Sequence, residues 1–91
     1  MLVPQAAAAA YDPIGGMLAL INADRAALHL PAVALDSRVS AIAASRSKDM
    51  AARDYFAHVS PSGETAFSLL GSSSVAWSLG GEILAWNSGS V

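Results

Sequence analysis

A chain of 91 residues has room for one small domain, and a domain of that size buries only about 60–65% of its unfolded surface, so its stability margin is thin. Its net charge of −2, five Lys and Arg against seven Asp and Glu, excludes the basic patch that a nucleic-acid binder needs. The lack of cysteine excludes disulfides and thiolate metal sites, and no apolar run reaches the ~20 residues that span a bilayer.

Residues 1–12 form an Ala-rich lead-in, with five alanines after Gln5. It reads either as a linker or as the remnant of a signal peptide whose basic start and full apolar region are absent. Residues 13–91 are expected to form one partial domain. Asp12 suits a helix N-cap and Pro13 the first helical position, while Gly15 and Gly16 weaken that start and move it toward Met17. Ile14, Met17, Leu18, Ile21 and Leu28 then fall at helical spacing, and Pro31 ends the element.

Asp36 or Ser37 caps a second helix running to about Arg53, with a stripe at Val39, Ile42, Ala43 and Met50. Asp49 and Arg53 stand four apart with the acid first, the favourable order for an ion pair on a helix. The segment from Asp54 to Gly63 reads as a turn-rich loop, with strong turn chemistry in Ser60-Pro61-Ser62-Gly63. A short helix is expected over Thr65 to Leu70, a loose connection over Gly71 to Ser74, and a single strand over Ile83 to Trp86.

Charge is unevenly spread. The 13% share of charged residues is about half of what soluble domains usually carry. From Thr65 to Val91 the only charged residue is Glu82, so this segment, with Trp77 and Trp86, reads as buried interior. A lone strand cannot satisfy its own backbone groups. The chain is therefore expected to be a truncated domain, needing further chain, a partner or a membrane beside it.

Several of these segments resemble one family. Leu18, Ile21, Asn22 and Arg25 match an opening helix written L-x-x-I-N-x-x-R. Leu35-Asp36 with Val39 and Ala43 is similar to the entry of its second helix. Ser47-Lys48-Asp49-Met50-Ala51 then leads into Tyr55-Phe56-Ala57-His58 and Ser60-Pro61-Ser62-Gly63, the run Y-F-x-H-x-S-P-x-G. Together these resemble the N-terminal portion of the CAP superfamily, the SCP-like extracellular domain of bacterial type. Gly81-Glu82 is similar to the start of the family's G-E-N-I-A strand, with Ile83 in place of its Asn. The S-P-G-H-R segment that supplies the family's second histidine is absent.

The resemblance implies an α+β fold, a CAP-type α-β-α sandwich represented here by its first helices and one strand. It also implies a secreted or cell-envelope protein of a bacterium. His58 follows a helix end and in the family faces a cleft, sometimes as a ligand to a divalent metal such as zinc; the plainer reading is a histidine that fixes its loop by a backbone hydrogen bond. Glu82, a carboxylate in an apolar segment, needs a partner, and the resemblance places that partner in the cleft near His58. Glu64 is a further cleft candidate, or else an exposed turn residue. His29 reads as a surface residue.

Zinc prefers three or four protein ligands, so His58 and Glu82 alone fall short of a metal site. Ser60, Ser62 and Ser68 near His58 read as turn chemistry, since no G-x-S-x-G elbow accompanies them. Trp77, Trp86, Tyr55 and Phe56 read as packing residues. Three functions stay open: a binding or interaction module with an extracellular or cell-wall partner, a divalent-metal-dependent hydrolase of peptidase type, and a lipid or sterol binder.

Overall fold

The computed structural model describes residues 11–87. The alanine-rich stretch before Tyr11 and the last four residues lie outside it. The described chain holds three helices, α1 (Pro13–Ala27), α2 (Ser37–Arg53) and α3 (Ala66–Ser72). It divides into two compact units, with the boundary between Ala34 and Leu35.

The first unit is organised by α1. Asp12 caps it, its Oδ1 accepting from the Gly15 N–H at 2.9 Å. The helix therefore starts at Pro13 and not at Met17. Gly15 allows this closure, because a Cβ there would overlap Asp12 Oδ2. After Leu28 the chain turns back through His29, which adopts a left-handed φ of 57° and is exposed. Two side chains of α1 fix the returning backbone. Asn22 both donates to Val33 O (3.0 Å) and accepts from Val33 N–H (2.8 Å), and Arg25 Nε donates to Pro31 O at 2.7 Å. Asn22 and Arg25 belong to the opening-helix motif, and here they hold a turn. The expected apolar stripe has helical spacing, but Ile14, Met17, Ile21 and Leu28 are exposed.

The second unit packs α3 against α2. Asp36 caps α2 through Oδ1, which accepts from Arg38 and Val39 N–H groups at 2.9 and 3.2 Å. The adjacent Arg38 holds the Asp36 carboxyl below the usual carboxylate range, with the two backbone N–H groups acting in the same sense. Thr65 and Ser68 form a reciprocal capping box at the start of α3, each side chain accepting from the other's backbone N–H (3.1 and 2.9 Å). Between the helices, the Ser60–Glu64 turn closes with Ser60 N–H donating to Glu64 O and Glu64 N–H donating to Ser60 Oγ. Gly63, with φ 86°, takes the left-handed position that this turn needs.

Two expectations need correction. No strand is present among the described residues, and Ile83–Trp86 is irregular. A strand exists only by pairing, and this segment meets no ladder partner. Nor is the tail a buried interior. Ile83 is 97% and Trp86 76% exposed, and Leu79 is likewise out. Trp77 is also exposed, although its ring meets Phe67 at 5.3 Å between centroids. Gly80 runs so close to that ring that a Cβ would stand 3.0 Å from Phe67 Cε1. Among the described residues the buried positions are Val75, Arg46 and Ser60, so the centre of this unit is largely polar. No described helix is long and apolar enough to cross a membrane.

Candidate functional site

The buried centre of the second unit is Arg46, one turn before Met50 on α2 and only 3% exposed. Its guanidinium meets Glu82 side-on, with Nε to Oε2 at 2.8 Å and Nη2 to Oε1 at 3.0 Å. Nη2 also donates to the carbonyls of Ala57 and His58, each at 3.0 Å. One side chain thus holds both the carboxylate and the backbone of the His58 loop. The planar fork of arginine is suited to such bidentate contacts, and lysine is not.

Glu82 is 15% exposed. The Arg46 hydrogen bonds lower its carboxyl below the usual glutamate range against the opposing effect of burial, with a smaller contribution from His58 in the same sense as Arg46. Arg46 is raised above its already high value by the same pair. Glu82 is therefore an ionised acceptor. Its Oε1 lies 2.7 Å from His58 Nδ1, and only a donor satisfies a carboxylate at that distance, so Nδ1 carries a proton. In the neutral form of the ring, Nε2 is then the lone-pair nitrogen. The His58 side chain is 63% exposed, which leaves most of the ring open to whatever approaches.

Sequence reasoning joined His58 and Glu82, and the structure places them in contact. It missed Arg46. The signal was legible: Arg46 falls between Ala43 and Met50 on the apolar stripe of α2, and a cation there matches the lone anion of the apolar tail. Glu64 is placed elsewhere. Its Oε1 accepts from Ser62 Oγ at 2.9 Å, and Ser62 Oγ accepts from Arg53 Nη1 at 3.1 Å. Glu64 is thus exposed turn chemistry, with no hydrogen bond to His58 or Glu82 among the described residues. Ser60 and Ser62 are engaged in the same turn, and Ser68 in the α3 cap.

A second polar cluster secures the loop. Asp49 takes a bidentate contact from Arg53 (2.8 and 2.6 Å) and a hydrogen bond from Tyr55 Oη at 2.6 Å. The Arg53 guanidinium lies 5.7 Å from the centroid of the Tyr55 ring. Arg53 lowers the Asp49 carboxyl, with Tyr55 assisting, and bonding to Asp49 raises the Tyr55 phenol. The acid-first pair read from sequence is present. Tyr55 is half-buried and fixes the loop as expected, while Phe56 projects outward.

The His58–Glu82 pair does not by itself fit a zinc ion. Glu82 spends both oxygens on Arg46, and Nδ1 is committed to Glu82, so Nε2 is the one nitrogen left to offer. Among the described residues, no group of three or more His, Asp or Glu is placed to hold a metal. Glu82 also borders a cavity of about 190 Å³ lined by Ile42, Arg46, Leu70 and Ile83, and His58 is not part of that lining.

Neither a curated protein nor a solved structure matches the chain. The sequence profile of the CAP family, described as the cysteine-rich secretory protein family, matches residues 18–88. That span includes the opening-helix motif, Arg46, the His58 loop and Glu82, and with so much of the sequence covered the chain belongs to the CAP family.

Proposed function

We propose that the chain is a binding module of a secreted or cell-envelope bacterial protein, and that the outward edge of His58 is its recognition group. The observation that supports this is the Arg46–Glu82–His58 relay, which fixes one tautomer and leaves the ring exposed. Arg46 neutralises Glu82, so the site presents a hydrogen-bond acceptor at Nε2 and little net charge. Hydrolysis would need an activated water held between a metal and a base, and the His58–Glu82 pair supplies neither ligand set nor free carboxylate. The test is a panel of peptide and ester substrates, assayed with zinc, on the wild type and His58→Ala. The binding reading expects no His58-dependent turnover, and expects added zinc to move the His58 ring resonances alone, without saturation at micromolar metal. Turnover that vanishes in His58→Ala would replace this reading with that of a metal-dependent hydrolase.

One observation favours lipid binding as a second reading. Leu79, Ile83 and Trp86 are apolar and exposed within a single short segment. Co-sedimentation with sterol-containing vesicles that is lost in Ile83→Ser supports it. Equal sedimentation of both proteins removes it.

A further inference from the structure

The C-terminal end of α2 carries an acid where helix physics disfavours one. Asp54 caps the helix in the left-handed conformation, with φ 53° and ψ 59°. Glycine or asparagine is the usual residue there. The last-turn carbonyls already make this end of a helix partly negative, so a carboxylate is repelled where Lys or Arg would be favoured. Asp enters the left-handed conformation more readily than most residues, but its charge is unfavourable at this helix end, and such a residue is a pointer to function.

It borders a cleft of about 490 Å³, within the size range of small-molecule sites. Phe56 and Trp86 line the same cleft with Tyr55, and the first two rings are well exposed. Among the described residues, Asp54 is the only charged one in the lining. Arg53 stays outside it, held on Asp49. The Tyr55 ring already has the Arg53 guanidinium over it, so the cleft offers a ligand the Phe56 and Trp86 rings, one carboxylate and the negative end of a 17-residue helix, with no cationic residue in its described lining.

We propose that this cleft binds a small organic cation of the quaternary ammonium class. Aromatic faces attract weakly hydrated cations, and a nearby carboxylate adds Coulombic attraction. An inorganic divalent cation needs a shell of six or more oxygens, which one carboxylate does not supply. A quaternary ammonium spreads its charge over apolar methyls and suits exposed aromatic rings, whereas a primary ammonium is a compact, strongly hydrated charge that gives up more water to enter. The site lies apart from the His58–Glu82 pair and does not depend on the function proposed for it.

The test uses the full chain at constant ionic strength. Choline is titrated against its neutral isostere 3,3-dimethylbutan-1-ol, following the Trp86 indole and the Asp54–Phe56 amides by NMR. Choline is expected to shift these signals with millimolar affinity, about tenfold tighter than the neutral alcohol. Asp54→Asn keeps the backbone conformation and removes the charge. It is expected to abolish the preference for choline and to raise the melting temperature. A second arm with phosphatidylcholine vesicles separates the sources of the ammonium: displacement of choline by vesicles identifies a lipid headgroup, and no displacement a free solute. Equal affinity for choline and the alcohol, no shift with either, or a lower melting temperature for Asp54→Asn overturns the proposal.

Discussion

Arg46 and Glu82 stand 36 positions apart in sequence and meet in a bidentate contact at 2.8 and 3.0 Å. Removing one partner of a buried ion pair leaves an uncompensated charge, which costs about 3 kcal/mol or more. Arg46→Ala is therefore expected to lower the unfolding free energy by that amount and to release the Ala57 and His58 carbonyls. Replacing both partners in Arg46→Met/Glu82→Met is expected to recover most of the loss. Urea denaturation of the wild type, the single and the double variant measures both effects. A loss in the double variant as large as in the single one contradicts the account of Arg46 as the counter-charge.

The pair also sets a pH dependence. Glu82 has a folded-state pKa below its ordinary value near 4.5, so the unfolded chain takes up its proton first as pH falls. The stabilisation is complete above that ordinary value and is lost as pH falls through the lower folded one. Stability measured from pH 7 down to pH 3 is expected to fall more steeply for the wild type than for Glu82→Gln. Parallel curves would show that another carboxylate controls the acid transition.

Fixing the tautomer of His58 has a direct spectroscopic consequence. With Nδ1 donating to Glu82, long-range proton–nitrogen spectra above pH 8 are expected to show the Nδ1–H form. In Glu82→Ala the ring is expected to return to the Nε2–H form that free imidazole side chains prefer. An Nε2–H ring in the wild type contradicts the relay.

Tyr55 supplies a probe of the loop. Its phenol is raised because its proton is shared with Asp49, and burial and the Asp49 charge act in the same direction. In Asp49→Asn the Tyr55 titration, followed on its ring carbon signal, is expected to move down toward the ordinary tyrosine value. An unchanged midpoint would mean that the Tyr55–Asp49 hydrogen bond does not persist in solution.

Much of the local structure was legible from residues near one another in sequence. Asp12 and Asp36 mark the first two helix starts because a short polar side chain can accept from N–H groups two or three residues on, and Thr65, read from sequence as the first residue of the third helix, caps it for the same reason. The Ser60–Gly63 turn and the Asp49–Arg53 pair were legible for the same reason. Even the start of α1, which Gly15 and Gly16 pushed toward Met17 on propensity alone, is decided locally, since the Asp12 carboxylate closes over a glycine. The family motif further joined His58 to Glu82 across 24 positions.

What the sequence by itself determined, then, was the helices, the caps of the first two, the family and the need of Glu82 for a partner. Tertiary structure alone decided that Arg46 is that partner and that it also gathers the Ala57 and His58 carbonyls. It also decided that Ile83–Trp86 is no strand and stands exposed. The reason is physical: caps and turns are satisfied within a few residues, whereas strand pairing and burial of a charge depend on groups distant in sequence, whose arrival no local pattern reports.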